Sequence, residues 1–169
     1  FIFNIGLTPN RGDCASVRGI ARDLSAKLKL KLIKRKHNKK KGTFKSKINW
    51  NLRHLENKND CPIILGRHFK INNNSLSPYW LMKKLKSIGL KPISSLVDIT
   101  NYILHDIGRP LHVFDIKKLK GDLKVIRLTK EEDFVGLDKK KYKLQKGDIV
   151  IKDNEKTVSL AGIMGGMNS

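Results

Sequence analysis

An α+β fold is predicted by two patterns. Apolar residues recur at helical spacing in three stretches up to Ile107, and beyond Gly108 the apolar period falls to two, with turn formers between short runs. A third observation sets the organisation: a basic block, Lys34 to Lys41, interrupts the apolar rhythm. Such a run cannot bury a face and repels itself, so it reads as a solvated spacer. The chain is thus expected to hold a small helical N-terminal piece over 1–30, a Lys-rich linker over 31–60, and a mixed α/β domain with a strand-rich C-terminal half over 61–169.

Phe1-Ile2-Phe3-Asn4-Ile5 alternates like a strand cut from something longer and runs into the turn formers Thr8-Pro9-Asn10-Arg11-Gly12-Asp13. From Ser16 onward Val17, Ile20, Ala21, Leu24 and Leu28 recur on one helical face, with Asp13 or Ser16 available as the cap. Cys61 to Arg67 is expected to be a strand. Ser77-Pro78 supplies an N-cap and a favoured first residue for a second helix, with Leu81, Met82, Leu85 and Ile88 as its stripe and Gly89 as its end. A third helix runs from about Ser95 to Ile107, stopped by Gly108. On it Asp98, Asn101 and His105 share a polar sector of about 60°, opposite the apolar stripe. Strands are expected at Leu123–Arg127, Tyr142–Leu144, Asp148–Lys152 and Thr157–Ile163, with Asp153-Asn154-Glu155 as a hairpin turn.

With 169 residues, 39% of them hydrophobic and dispersed in short periodic runs, the chain can bury a core. No apolar stretch approaches the ~18 residues of a membrane span, and the start lacks the basic and apolar regions of a signal peptide. Cys14 and Cys61 have neither zinc spacing nor disulfide density, so a reduced cytoplasmic setting is expected, with both thiols as ordinary buried residues. The formal charge of +21, from 36 Lys plus Arg against 15 Asp plus Glu, suggests a polyanionic partner such as RNA. A genome biased toward A and T would also enrich Lys, Ile and Asn with no functional demand.

Three constellations could carry chemistry. His112 follows a helix stop and a Pro, where a loop can present it to a substrate; equally, it could satisfy a nearby carbonyl. Asn101 lies on the polar sector of the third helix, where it could hold a substrate or simply face water. Gly162, Gly165 and Gly166 follow a strand and could let a ligand approach backbone N–H groups, or could form only a turn. The spacings of a P-loop, a dinucleotide fingerprint and a His-rich metal site are all missing, so no metal site is expected.

Taken in order, these segments resemble a known family. Thr8 to Arg22, TPNRGDCASVRGIAR, is similar to the stretch TPNRxDCLSVxGIAR that follows the tRNA-binding OB-fold insert in the beta subunit of bacterial phenylalanyl-tRNA synthetases. Lys91-Pro92-Ile93-Ser94, Val97 to Tyr102 and Gly108 to Asp115 resemble the run RPI...VDVTNYV...GQPMHAFD. Leu160 to Gly166 with Ser169 resembles AGIMGGxxS. The resemblance covers all but the Lys-rich linker and implies that 61–169 is an editing-type, tRNA-binding domain truncated at its C-terminus.

It further implies a heterotetramer of two alpha and two beta subunits acting on tRNA(Phe), in which the alpha subunit makes phenylalanyl-adenylate from ATP with magnesium and this segment binds no cofactor. The beta subunit's central region would hydrolyse tyrosine wrongly joined to that tRNA. Carried over by position, His112 is the expected catalytic residue, orienting ester or water. Asn101, Lys91, Gly162 and Gly165 are the expected substrate-binding residues. Lys91 stands where the family has Arg, replacing a planar two-pronged contact with a point charge. The chain ends before the family's acidic residue that reads the tyrosine hydroxyl. Two other readings remain: a tRNA-binding or structural module that has lost editing, and a degenerate piece that does not fold alone.

Overall fold

The computed structural model describes residues 2–34, 40–52, 55 and 57–167. Most of the basic run, and Ser169 of the last motif, lie outside the described residues. The fold is α+β, divided into two compact units, each assembled from two stretches of chain: Phe1–Lys41 with Ile71–Val113, and Gly42–Lys70 with Phe114–Ser169.

The first unit is helical. A 3-10 turn at Gly12–Cys14 leads into α1, Val17–Lys27, whose free N-terminus is capped where the Gly19 N–H donates to Ser16 Oγ at 2.9 Å. The stripe expected to be buried is turned outward: Val17, Leu24 and Leu28 are all more than half exposed. What α1 buries is Gly19, against the turn. A Cβ there would meet the Asp13 carbonyl and, at 2.7 Å, Cys14 Cα, so only glycine allows this approach. Ile2, Phe3 and Ile5 alternate as expected but form no strand, because a lone extended segment has no ladder partner.

Helix α2, Tyr79–Ser87, buries Leu81 and Leu85 and packs on α3, Ser95–Ile107, which also packs on α1. Gly108 ends α3 at φ 72°, with its N–H on the Leu104 carbonyl. Two expectations are corrected here. Ser77 is not the cap of α2; its hydroxyl donates to Asp98 Oδ2 at 2.6 Å. Asp98 does not face water with Asn101 and His105 but is fully enclosed, its other oxygen accepting the Ile93 N–H at 2.9 Å. Helical phase marked its face as polar; two fixed donors made burial favourable.

The second unit is a mixed five-stranded sheet with a separate hairpin. Its strands are β1 (Trp50–Asn51), β2 (Leu123–Arg127), β5 (Ile149–Lys152), β6 (Thr157–Leu160) and β7 (Met164–Gly165), in the order β1-β2-β5-β6-β7. Among the described residues only β1 and β2 run parallel; β3 (Glu132–Val135) and β4 (Lys141–Leu144) form the hairpin. Ile48, Trp50, Leu52 and Leu55, within the stretch expected as linker, join the main apolar cluster with Leu123, Val125, Ile151 and Val158. A second cluster joins Leu128, Phe134, Leu144 and Val150. Val158 belongs with Ile151 because the β5–β6 register shifts around it: Ile151 faces Ser159 and Lys152 faces Thr157, leaving Val158 as the extra residue of a bulge. Cys61 to Arg67 is not a strand; as coil it carries Cys61 and Ile64 to the main cluster.

Truncating Asp98 leaves the buried Ser77 hydroxyl and the part-buried Ile93 N–H without an acceptor. Asp98→Ala is expected to destabilise the first unit by about 2–4 kcal/mol and Ser77→Ala by about 1 kcal/mol in urea unfolding. Equal, small losses from the two changes would contradict this account.

Candidate functional site

The loop that leaves α3 positions His112. Its left-handed stop at Gly108 breaks the helical path, and Pro110 prevents it from resuming. His112 is exposed, yet enough protein lies around its imidazole that desolvation holds the pKa below the ordinary 6.5. Desolvation favours the neutral form of the ring, which carries one donor and one acceptor nitrogen. Asn101 is half-buried on α3, and Lys91 is exposed in the turn between α2 and α3. These three belong to the first unit.

Gly162 and Gly165 belong to the second. Gly162 is exposed at φ 73° in the turn between β6 and β7, where its backbone can be approached. Gly165 is buried in β7, opposite Ser159, and its carbonyl accepts the Leu137 N–H at 2.9 Å. The expectation of free N–H groups is corrected at Gly166, whose N–H donates to the Val158 carbonyl at 2.8 Å. A Cβ at Gly166 would lie 2.8 Å from that oxygen and 3.1 Å from Phe134, so this glycine is needed for sheet closure.

Sequence reasoning missed two features. The first is a charged cluster around Cys14, which is 3% exposed. Arg11 Nε and Nη2 grip Asp13, Arg11 Nη2 also reaches Asp23 on α1, and Arg22 pairs with Asp13. Asp13, Cys14 and Asp23 lie close enough together to share an ion. Both carboxylates are already engaged by guanidinium groups, however, so the donor set does not suit a cation. Hydrogen bonding from Arg11 brings the Asp13 pKa down to about 2, whereas burial pushes the Cys14 thiol up. The TPNRGDC stretch carried the signal, but the ties across to Arg22 and Asp23 are tertiary. The second feature is a pocket of about 550 Å³ in the second unit, walled by Trp50, Leu55, Cys61 and Asp122. It was hidden because residues 31–60 read as spacer.

The whole span from Asp60 to the last residue, holding α2, α3, β2–β7 and all five expected site residues, matches the model of one protein family, the B3/4 domain, over 60–169. The chain belongs to the B3/4 domain family. Relatives of this B3/4 chain extend the likeness through the N-terminal piece. It is 45% identical over 99% of its length to the phenylalanine--tRNA ligase beta subunit of Gluconobacter oxydans and 46% identical over 99% to that of Paramagnetospirillum magneticum. The corresponding subunit of Ruegeria pomeroyi is 45% identical over 98% of the chain. The chain spans about one fifth of the length of these relatives, 20% and 21% in the first two.

The Arg11 network predicts how the N-terminal piece of this B3/4 chain responds to acid. Asp13 has a folded pKa depressed from 3.8, so its contribution is present above pH 4 and lost as pH falls toward 2. Arg11→Met is expected to return the Asp13 titration toward 3.8 by carboxyl NMR. An unmoved Asp13 titration would show that Arg11 is not its anchor.

Proposed function

We propose that this chain is part of a phenylalanyl-tRNA synthetase beta subunit and that its B3/4 region contributes to hydrolysis of tyrosine esterified to tRNA(Phe). The observation that carries the reading is identity of about 45% across 98–99% of the chain to relatives bearing that subunit's name. A pocket built for phenylalanine cannot strongly reject an isostere that only adds a hydroxyl, so a second, hydrolytic site is the physical remedy.

In the reaction a water oxygen adds to the ester carbonyl, the bond to the terminal ribose breaks, and tyrosine and free tRNA result. Neutral His112 can accept a hydrogen bond or a proton from that water. Asn101 offers an amide to hold the ester and Lys91 a point charge for a phosphate. Orientation and polar stabilisation, with no covalent nucleophile, would carry the rate.

ATP and magnesium for charging would be held by an alpha-subunit partner in the heterotetramer. The acidic groups around Cys14 are occupied by arginines and suit no such role. Among the described residues no helix is long and apolar enough to cross a membrane. The Lys91 substitution favours a second reading, a tRNA-binding module without hydrolysis.

The test is Tyr-tRNA(Phe) deacylation by the full-length protein with its partner subunit. His112→Ala is expected to slow hydrolysis roughly 100-fold or more while leaving tRNA affinity within a few fold. The wild-type rate should hold level above pH 7 and fall with a midpoint below 6.5, because protonation removes the acceptor nitrogen. Hydrolysis unaffected by His112→Ala would remove that residue from the chemistry; no hydrolysis at all would leave the binding module.

A further inference from the structure

Helix α2 carries a surface that neither the hydrolytic reading nor the family match assigns. Leu81 and Leu85 are buried at 2% and 1% exposure, which turns the opposite side of the helix to solvent. That side holds Tyr79, 74% exposed, and Trp80, 53% exposed, beside exposed Lys83, Lys84 and Lys86. At ~100° per residue Lys86, Tyr79, Lys83, Trp80 and Lys84 follow one another across a sector of about 160°.

Two further observations point to what this side meets. Charge is sorted by burial over residues 71–113: the acids there, Asp98 and Asp106, are 0% and 7% exposed, whereas Lys83, Lys84, Lys86, Lys91 and Arg109 are all exposed. The segment therefore shows water a surface of one sign. The indole of Trp80 is also held in place: it stands edge-on to Tyr102 at 5.6 Å between centroids, 85° between planes. Lys84 Nζ sits 5.6 Å from the centre of the same Tyr102 ring. A large ring fixed at the surface loses little rotamer freedom when something flat stacks on it.

We propose that this face of α2 binds a single-stranded stretch of RNA, with bases stacking on Trp80 and Tyr79 and phosphates against Lys83, Lys84 and Lys86. Aromatic rings interleaved with cations at helical spacing suit unpaired nucleotides, which offer both a flat face and a phosphate to each step; a duplex keeps its faces stacked internally. An apolar protein partner would use Tyr79 and Trp80 but would gain nothing from the three lysines. The natural ligand rests on the RNA-binding half of the proposed function and is independent of ester hydrolysis.

The experiment uses the full-length protein with its partner subunit and two fluorescent probes, a 12-nucleotide unstructured RNA and an RNA duplex of equal length, titrated at several salt concentrations. Trp80→Ala and Tyr79→Ala are each expected to weaken single-strand binding roughly 10-fold, leaving duplex binding and the salt slope little changed. The double variant Lys83→Gln with Lys86→Gln should weaken both probes and lower the single-strand salt slope by about 1.4. Tyr79→Ala guards the test against misfolding, since that side chain is three-quarters exposed. Single-strand affinity unchanged in Tyr79→Ala and Trp80→Ala overturns the proposal, as does loss of subunit association in its place, which would make the face a protein-docking surface. Weakened RNA binding with Tyr-tRNA deacylation absent throughout would support this surface while removing hydrolysis from the proposed function.

Discussion

A carboxyl group with no exposure to water is tolerated only when its oxygens find donors, and Asp98 finds them on both sides of α2. Ser77 precedes that helix and Ile93 follows it, so one side chain on α3 clips both ends of the segment that contains α2. Rotation of α2 is then no longer free. Leu81 and Leu85 must face α3, and everything on the far side must face solvent. The outward display of Tyr79, Trp80 and three lysines follows from this arrangement. Helix propensity alone would leave the rotation of α2 unset.

The second unit uses the same device. Asp153 is 3% exposed and accepts N–H groups from Lys120, Glu155 and Lys156 at 2.8–2.9 Å. Burial raises its pKa and these backbone donors lower it further, for a net depression. The carboxylate thus pins the approach to β2 against the β5–β6 turn. Val158, the extra residue beside this turn, is rotated by the bulge into the main cluster. Gly166 can then close the sheet edge over the Val158 carbonyl, which is why glycine is needed where a ligand-binding N–H was expected.

Much of this was legible in the sequence, because period and punctuation are local. The three helices, the αL stop at Gly108, the β5–β6 hairpin and strands β2, β4, β5 and β6 follow from apolar spacing and turn residues; β3, which brings Phe134 to the second cluster, was not expected, and the strand expected over 157–163 ends at Leu160. What failed was tertiary. Asp98 reads as polar and outward until its two donors, 21 and 5 residues away, are known. Trp50 lies in a stretch too basic to suggest a strand, yet its pairing with Leu123, far along the chain, draws it into the core. The apolar stripe of α1 was visible, but which face it buries was decided by Gly19 against the Gly12–Cys14 turn. At the candidate site, the motif made His112 and Asn101 visible, and its environment supplied the neutral imidazole that no motif shows.

The surplus positive charge can be read more sharply with burial in hand. Drift of a genome toward A and T adds lysine wherever solvent tolerates it, and that alone could give a charge of +21. Drift does not explain two aromatic rings left in water on the same helical face as the lysines. Exposed Tyr and Trp carry a solvation cost that lysine does not, and a ligand stacking on them would relieve it. Tyr102 strengthens the point: it lies next to Asn101 on α3 and steadies Trp80 from beneath. The helix that places a candidate site residue thus also braces the aromatic face, so substitutions in α3 that tilt Tyr102 would disturb both surfaces through one rigid element.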